Sequence, residues 1–446
     1  MSSTAEYRAL TPPLARFEPP NSTPTWRRLA LTSPLLALTC GLALAEGLRQ
    51  GGFWEPDSTI VAIAAVAILA ASCWRSPPVS AAEWTVVGGT VLLTTWWLAR
   101  AVPAGSSAHW LPLGASLLGF AAAFAVLQPA DDVDRRTVAT VVSGSVALLM
   151  ALGFLGLAWR WFPLAMPAQH LWRLSSSLTY SDAAGLAAGI GLLLALSLPD
   201  TGIARVSTVL CAAGLLASQS RGALLACAVG VVIVPLAQLR RRPLPLLSAA
   251  VLGVTCIATS SRPDPVWWLV PLTLVAVLAA AVRSPQIERA PTRRQWTAAA
   301  ALVIPIAAAG AWAVRGQLAL RALAPSDGDR RVEWSAALHQ FLASPLWGAG
   351  PDHLLHFAAR DGTFAYFAHN EYLQLAAGGG VVALALLLAA GAGLARLVRR
   401  QDVLTSCATA ALVCWAVGGA FDFDWHLPFI GLLGGVAAGL ASRRDT

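Results

Sequence analysis

The chain is 446 residues long, 57% apolar and only 12% charged, which excludes an ordinary soluble protein. Its net charge of +8 comes entirely from arginine, since no lysine occurs, and the arginines cluster between apolar runs, a pattern of membrane orientation rather than of nucleic-acid binding. Without lysine there is also no Walker-type phosphate loop, so an ATP-driven pump is excluded.

Residues 1–28 are polar and bear proline and serine, and read as a disordered cytoplasmic tail. Apolar runs then recur at close to the ~20 residues a spanning helix needs, which predicts an all-α polytopic membrane protein. Spans are expected near 29–46, 58–74, 83–99, 110–128, 137–157, 182–198, 203–218, 222–238, 246–260, 266–282 and 297–314. After a polar loop at 315–370 they resume near 371–395, 404–420 and 427–441. The chain thus divides into the tail, a bundle of about eleven spans over 29–314, a long outer loop with short helices over 315–370, and C-terminal spans over 371–446. If one or two short spans re-enter instead of crossing, the total falls from fourteen to about twelve.

Placing the N-terminus in the cytoplasm puts Arg27-Arg28, Arg135-Arg136, Arg240-Arg241-Arg242, Arg293-Arg294, Arg399-Arg400 and Arg443-Arg444 all inside. Both termini are then cytoplasmic. The outer segment 158–181 holds Trp159, Trp161, Trp172 and Arg173, and is expected to be an aromatic belt or an interfacial helix. The seven cysteines lie in or beside apolar runs without CxxC spacing, as small core residues do.

Three polar features share the outer face: Ser218-Gln219-Ser220-Arg221, the 315–370 loop, and residues 421–426. The most informative is His369-Asn370, at the mouth of an apolar helix, where an imidazole can serve as a base at neutral pH. Arg221 is either a snorkelling anchor or a bidentate ligand for a diphosphate. Arg330-Arg331 makes the same offer from a helix on which Trp334, Leu338 and Leu342 are expected to form the packing face. His353 and His356 with Asp352 lack a third placed ligand for a metal. Asp361 or Glu371 is a candidate partner for His369, and Asp422 and Asp424 either line the site or cap the final span.

Taken together, SRGALL at 220–225, Arg330 with Trp334, SPLWGAGPDHL at 344–354 and HNEYLQL at 369–375 resemble the O-antigen ligase and polymerase superfamily of bacterial envelope glycosyltransferases. The resemblance covers residues 218 to about 380. It implies a GT-C-like enzyme of the bacterial inner membrane, working on the periplasmic face without metal or other cofactor. The donor would be a glycan on undecaprenyl diphosphate, and the acceptor a hydroxyl of a lipid core or another glycan. By the same resemblance His369 is the catalytic base, Arg221 with Arg330 or Arg331 holds the diphosphate, and transfer proceeds with inversion. Asn370, Glu371, Tyr372 and Asp422 are possible supporting residues. The chain departs from the family at Gly378-Gly379-Gly380, where an acidic residue often stands, and a looser local helix is expected there. A polymerase, a protein-glycosylating enzyme and a non-enzymatic flippase are the alternatives. The flippase would need charged residues within its spans, and the expected spans hold few.

Overall fold

The computed structural model describes residues 33–101, 111–281, 326–351, 367–398 and 402–442, with isolated positions at 315, 316 and 319. The tail, the expected span at 297–314 and the residues Asp352, His353, His356 and Asp361 lie outside the described residues. Fifteen helices are described, α1 to α15 in chain order. They are Pro34–Leu48, Glu55–Arg75, Ala81–Ala101, Leu111–Leu127, Asp132–Trp159, Ser181–Ser197, Gly202–Ser218, Arg221–Val231, Leu236–Arg240, Pro243–Thr259, Leu269–Ala281, Ser326–Ala343, Glu371–Leu397, Val403–Gly418 and Pro428–Ala441. Every expected span within the described residues coincides with a helix, except that 222–238 divides into α8 and the short α9.

Three helices, α2, α5 and α13, are long and apolar enough to cross a membrane, and nine shorter apolar helices accompany them. The protein is an all-α polytopic membrane protein. Helices α4, α6 and α15 are buried on nearly all sides, as expected of central helices without an amphipathic stripe. Helix α15 packs along α4 and α14, α13 runs beside α3, and α6 contacts α7, α8 and α14. The approach of α15 to α4 requires glycine, since a Cβ on Gly435 would stand 2.3 Å from the Phe120 carbonyl oxygen.

Arginines close one end of the bundle. Arg135 donates to the carbonyls of Leu440 and Ser442 at the end of α15. Arg242 donates to the carbonyls of Ala204 and Leu198 at 2.8 and 2.7 Å and to the Thr208 hydroxyl at 2.8 Å. The carbonyls of Leu198, Leu440 and Ser442 stand at helix C-termini, where intrahelical partners are lacking, whereas that of Ala204 lies in the first turn of α7.

The segment 158–181 is not an interfacial helix, while Trp159 and Trp161 are exposed, as in an aromatic belt. The centre of the segment is an antiparallel hairpin, β1 (Ala165–Ala168) with β2 (Leu171–Leu174). The hairpin turns at Gln169 and His170, both with positive φ, as the two-residue turns that match strand twist require. The Trp172 amide donates to the Ser260 carbonyl at 2.8 Å, which ties the hairpin to the end of α10.

At the glycine triplet the helix is interrupted, in line with a looser local helix. Helix α13 breaks at Gly380 (φ 68°, ψ −164°), and loop 344–351 docks into the opening. Ala349 and Gly350 donate to the carbonyls of Ala377 and Gly378 at 2.8 and 2.9 Å, and Val381 donates to that of Pro345 at 2.8 Å. A Cβ on Gly380 would meet the Leu346 carbonyl oxygen at 2.4 Å. The triplet therefore fixes the loop that follows α12 against α13.

Candidate active site

At the end of the bundle opposite Arg242, the N-termini of α6, α8 and α13 meet the C-terminus of α14. The amides of the three N-termini favour anions, and the C-terminal carbonyls of α14 offset part of that field. Here a cleft of ≈ 250 Å³ is lined by Arg173, Asp182, Arg221, Arg330, Glu333, His369, Asp422 and Asp424, among others.

His369 is set by its neighbours in the chain. Asn370 caps α13, its side chain accepting from the Leu373 amide at 3.0 Å and donating to the Ala420 carbonyl at 2.9 Å. His369 precedes the cap in the left-handed region (φ 47°), and its ring turns back toward α12. There Nδ1 lies 2.8 Å from Glu333 Oε2, which leaves Nε2 as the ring nitrogen available to the cleft. Burial depresses the imidazole. The Glu333 hydrogen bond and the Asp422 and Glu333 charges outweigh that, even against Arg330, and hold His369 above its ordinary value.

Arg330 stands one turn before Glu333 on α12, so a single helix face supplies both. Its guanidinium reaches Asp422 Oδ2 at 3.0 Å. Asp422 Oδ1 accepts from the Tyr180 hydroxyl at 2.7 Å and from the Phe423 amide at 2.9 Å. Arg221 opens α8 after Ser220, whose hydroxyl caps the helix by accepting from the Ala223 amide. It is exposed at the cleft. Arg173, on β2, donates to the Ser218 carbonyl and to Asp182 Oδ1, both at 2.8 Å.

Of the residues singled out from sequence, His369, Arg221, Arg330, Asp422 and Asp424 therefore come together. Arg331 is exposed and is not among the residues lining the cleft. The other three candidates near His369 hold backbone instead. Besides the Asn370 cap, Glu371 is fully buried and accepts from the Trp425 amide at 2.6 Å, with His426 beside it. Tyr372 donates to the Ala416 carbonyl at 2.7 Å. The carboxylate partner of His369 is thus Glu333, not Glu371. Asp422 and Asp424 line the cleft and do not cap α15, whose N-cap is Leu427.

The expected packing face of α12 is also corrected. Leu338 and Leu342 are 47% and 61% exposed, whereas Glu333 and Ala337 are buried. A helix that lines a polar site turns its polar stripe inward, and here that stripe carries Arg330 and Glu333. Sequence reading missed Glu333, Tyr180 and Asp182 and gave Arg173 no role. The signal for Glu333 was its i, i+3 spacing from Arg330. Among the described residues no group of three histidine, cysteine or carboxylate side chains has metal-binding geometry.

The O-antigen ligase family model matches residues 206–388, from α7 to the middle of α13 and across the cleft residues Arg221, Arg330, Glu333 and His369. Residues 206–388 of the chain are thus similar to the O-antigen ligase family domain. This supports the O-antigen ligase and polymerase superfamily and the glycosyltransferase-like class to which its members belong, with lipid-linked glycans as the kind of substrate. No curated protein matches the chain.

Proposed function

We propose that the protein is a ligase-like, inverting glycosyltransferase of the bacterial inner membrane. Its donor is a glycan carried on undecaprenyl diphosphate, and its acceptor is a hydroxyl presented at the periplasmic face. The observation that carries the reading is the pairing of His369 with Glu333 on the same helix face as Arg330, beside Arg221 and three helix N-termini.

With Glu333 Oε2 accepting from Nδ1 of His369, that nitrogen carries the proton and Nε2 presents its lone pair. The acceptor hydroxyl gives its proton to Nε2 as its oxygen attacks the anomeric carbon. The bond from that carbon to the diphosphate oxygen breaks on the opposite face, so configuration inverts. The lipid diphosphate leaves carrying the developing charge. Arg330 and Arg221 offer planar, permanently charged forks to it, and the helix N-termini add fixed dipoles that need no reorganisation during reaction. In this scheme the guanidinium groups neutralise the leaving group, so no metal is required.

Asp422 holds Arg330 in place before the donor arrives, and Tyr180 holds Asp422. The cleft sits at helix ends rather than within spans, which supports surface chemistry over a flippase path. Ligase and polymerase would share this cleft and differ in the acceptor.

The test is transfer from a synthetic polyprenyl-diphosphate oligosaccharide by purified protein in EDTA, with lipid-core acceptors or with donor alone. Glycan on the lipid core supports the ligase, and lengthening of the donor supports the polymerase. Movement of lipid-linked glycan across liposomes without any transfer would overturn both.

A further inference from the structure

Asp424 has no part in the chemistry above, and yet it lines the same cleft. It is 3% exposed, and its Oδ1 is fully enclosed with no hydrogen-bond partner among the described residues. A buried polar atom without a partner is costly, and such atoms in folded proteins are met by a ligand, a water or an ion. The neighbouring Asp422 is different, since the Tyr180 hydroxyl, the Phe423 amide and Arg330 satisfy it.

The turn that carries Asp424 is held rigidly. Asp424 opens a one-turn 3-10 helix, Asp424–His426. The amide of Trp425 in that turn is fixed by Glu371 Oε1 at 2.6 Å, and the Trp425 ring stacks on Trp415 at 4.3 Å between centroids. A group fixed in this way is preorganised for a partner instead of free to rotate toward one of its own. The side chains of Arg330 and His369 remain 28% and 25% exposed, so Asp424 lies deeper than either.

Resting on the proposed transfer reaction, we infer that Asp424 is the floor of a sugar subsite, where its carboxyl group hydrogen-bonds a ring hydroxyl of the saccharide residue attached directly to the diphosphate. That residue is selected because Arg330 is tied to Asp422, two positions away, so a diphosphate on Arg330 brings its first sugar to Asp424. Burial, reinforced by the charges of Asp422 and Asp182, holds the Asp424 carboxyl well above the usual carboxylate range. That shift favours the protonated form, which both donates and accepts, as a sugar hydroxyl does.

The experiment compares full-length wild type, Asp424→Asn and Asp424→Ala in lipid nanodiscs. The donors are polyprenyl-diphosphate oligosaccharides whose first sugar lacks one ring hydroxyl at a time. For one deoxy donor, wild type loses about 100-fold in kcat/KM. Asp424→Ala loses a similar factor on the intact donor and nothing more on that deoxy donor, because the two changes remove one interaction. Asp424→Asn, of the same shape, falls between them, and it carries the comparison alone if the alanine variant does not fold.

The subsite is overturned if Asp424→Ala processes the intact donor at the wild-type rate, which would leave the orphan oxygen to water. It is equally overturned if both variants still discriminate among the deoxy donors as wild type does. A wild type inactive on every lipid-linked donor would overturn the transfer reaction and the subsite with it, a result distinct from active enzyme without coupling.

Discussion

Arginine serves two purposes at the two ends of this bundle. Arg242 is 1% exposed and spends its donors on the carbonyls of Leu198 and Ala204 and the Thr208 hydroxyl. Arg330 keeps 28% of its side chain exposed, meets a carboxylate and faces a cleft. A guanidinium enclosed by carbonyls closes helix ends. A guanidinium balanced by a carboxylate beside empty space is positioned but still able to receive an anion. The difference teaches that count and charge of arginines say little until their partners are known.

The comparison is broken most severely at the cleft. His369→Ala should lower the transfer rate by about 10³-fold, in the range for loss of a general base, with the protein still folded by circular dichroism. Undiminished transfer would remove the base assignment. Arg330→Lys should cost about 100-fold in kcat/KM although charge is kept, because a point charge does not reproduce a bidentate fork. Rescue of activity by lysine would show that charge alone matters.

At the other end, Arg242→Leu strands several buried carbonyls and should lower stability by about 2–4 kcal/mol, read as a reduced melting temperature in detergent. Activity per folded molecule should stay at the wild-type level, and a selective loss of activity would erase the distinction between the two ends. The smallest effect is expected for Arg331→Ala, less than about twofold, since an exposed side chain away from the cleft contributes little. A large loss there would reassign the diphosphate contact.

Much of the fold was legible because hydropathy is a one-dimensional signal. Runs such as 182–198 and 404–420 map onto α6 and α14 within a few residues. The hairpin at 165–174 was not legible, since its strands are four residues long and its turn, Gln169-His170, lacks the usual glycine or asparagine. Within the site, Arg221 and His369 stand at helix starts, where polar residues interrupt apolar runs. Choosing between Arg330 and Arg331 needed the facing of α12, which its apolar residues misreported because Leu338 and Leu342 turn outward. Glu333 lies 36 residues before His369 and Tyr180 lies 242 before Asp422. Such pairings are made only by tertiary packing, and no local pattern announces them. The glycine triplet announced a looser helix but not its use, which is to seat a loop supplied from 344–351.

The most direct measurement is the pH dependence of kcat/KM for wild type and Glu333→Gln. His369 must be neutral to act as a base, so activity is present above its pKa and is lost as pH falls through it. Because Glu333 and Asp422 hold that pKa above the ordinary imidazole value, wild type should lose activity on its acid side at a higher pH than a free imidazole would. Glu333→Gln removes the charged partner, so the acid limb should move to lower pH while the plateau rate drops about 10- to 100-fold. An acid limb at the same pH in both proteins would contradict the assignment of His369 as the base held by Glu333.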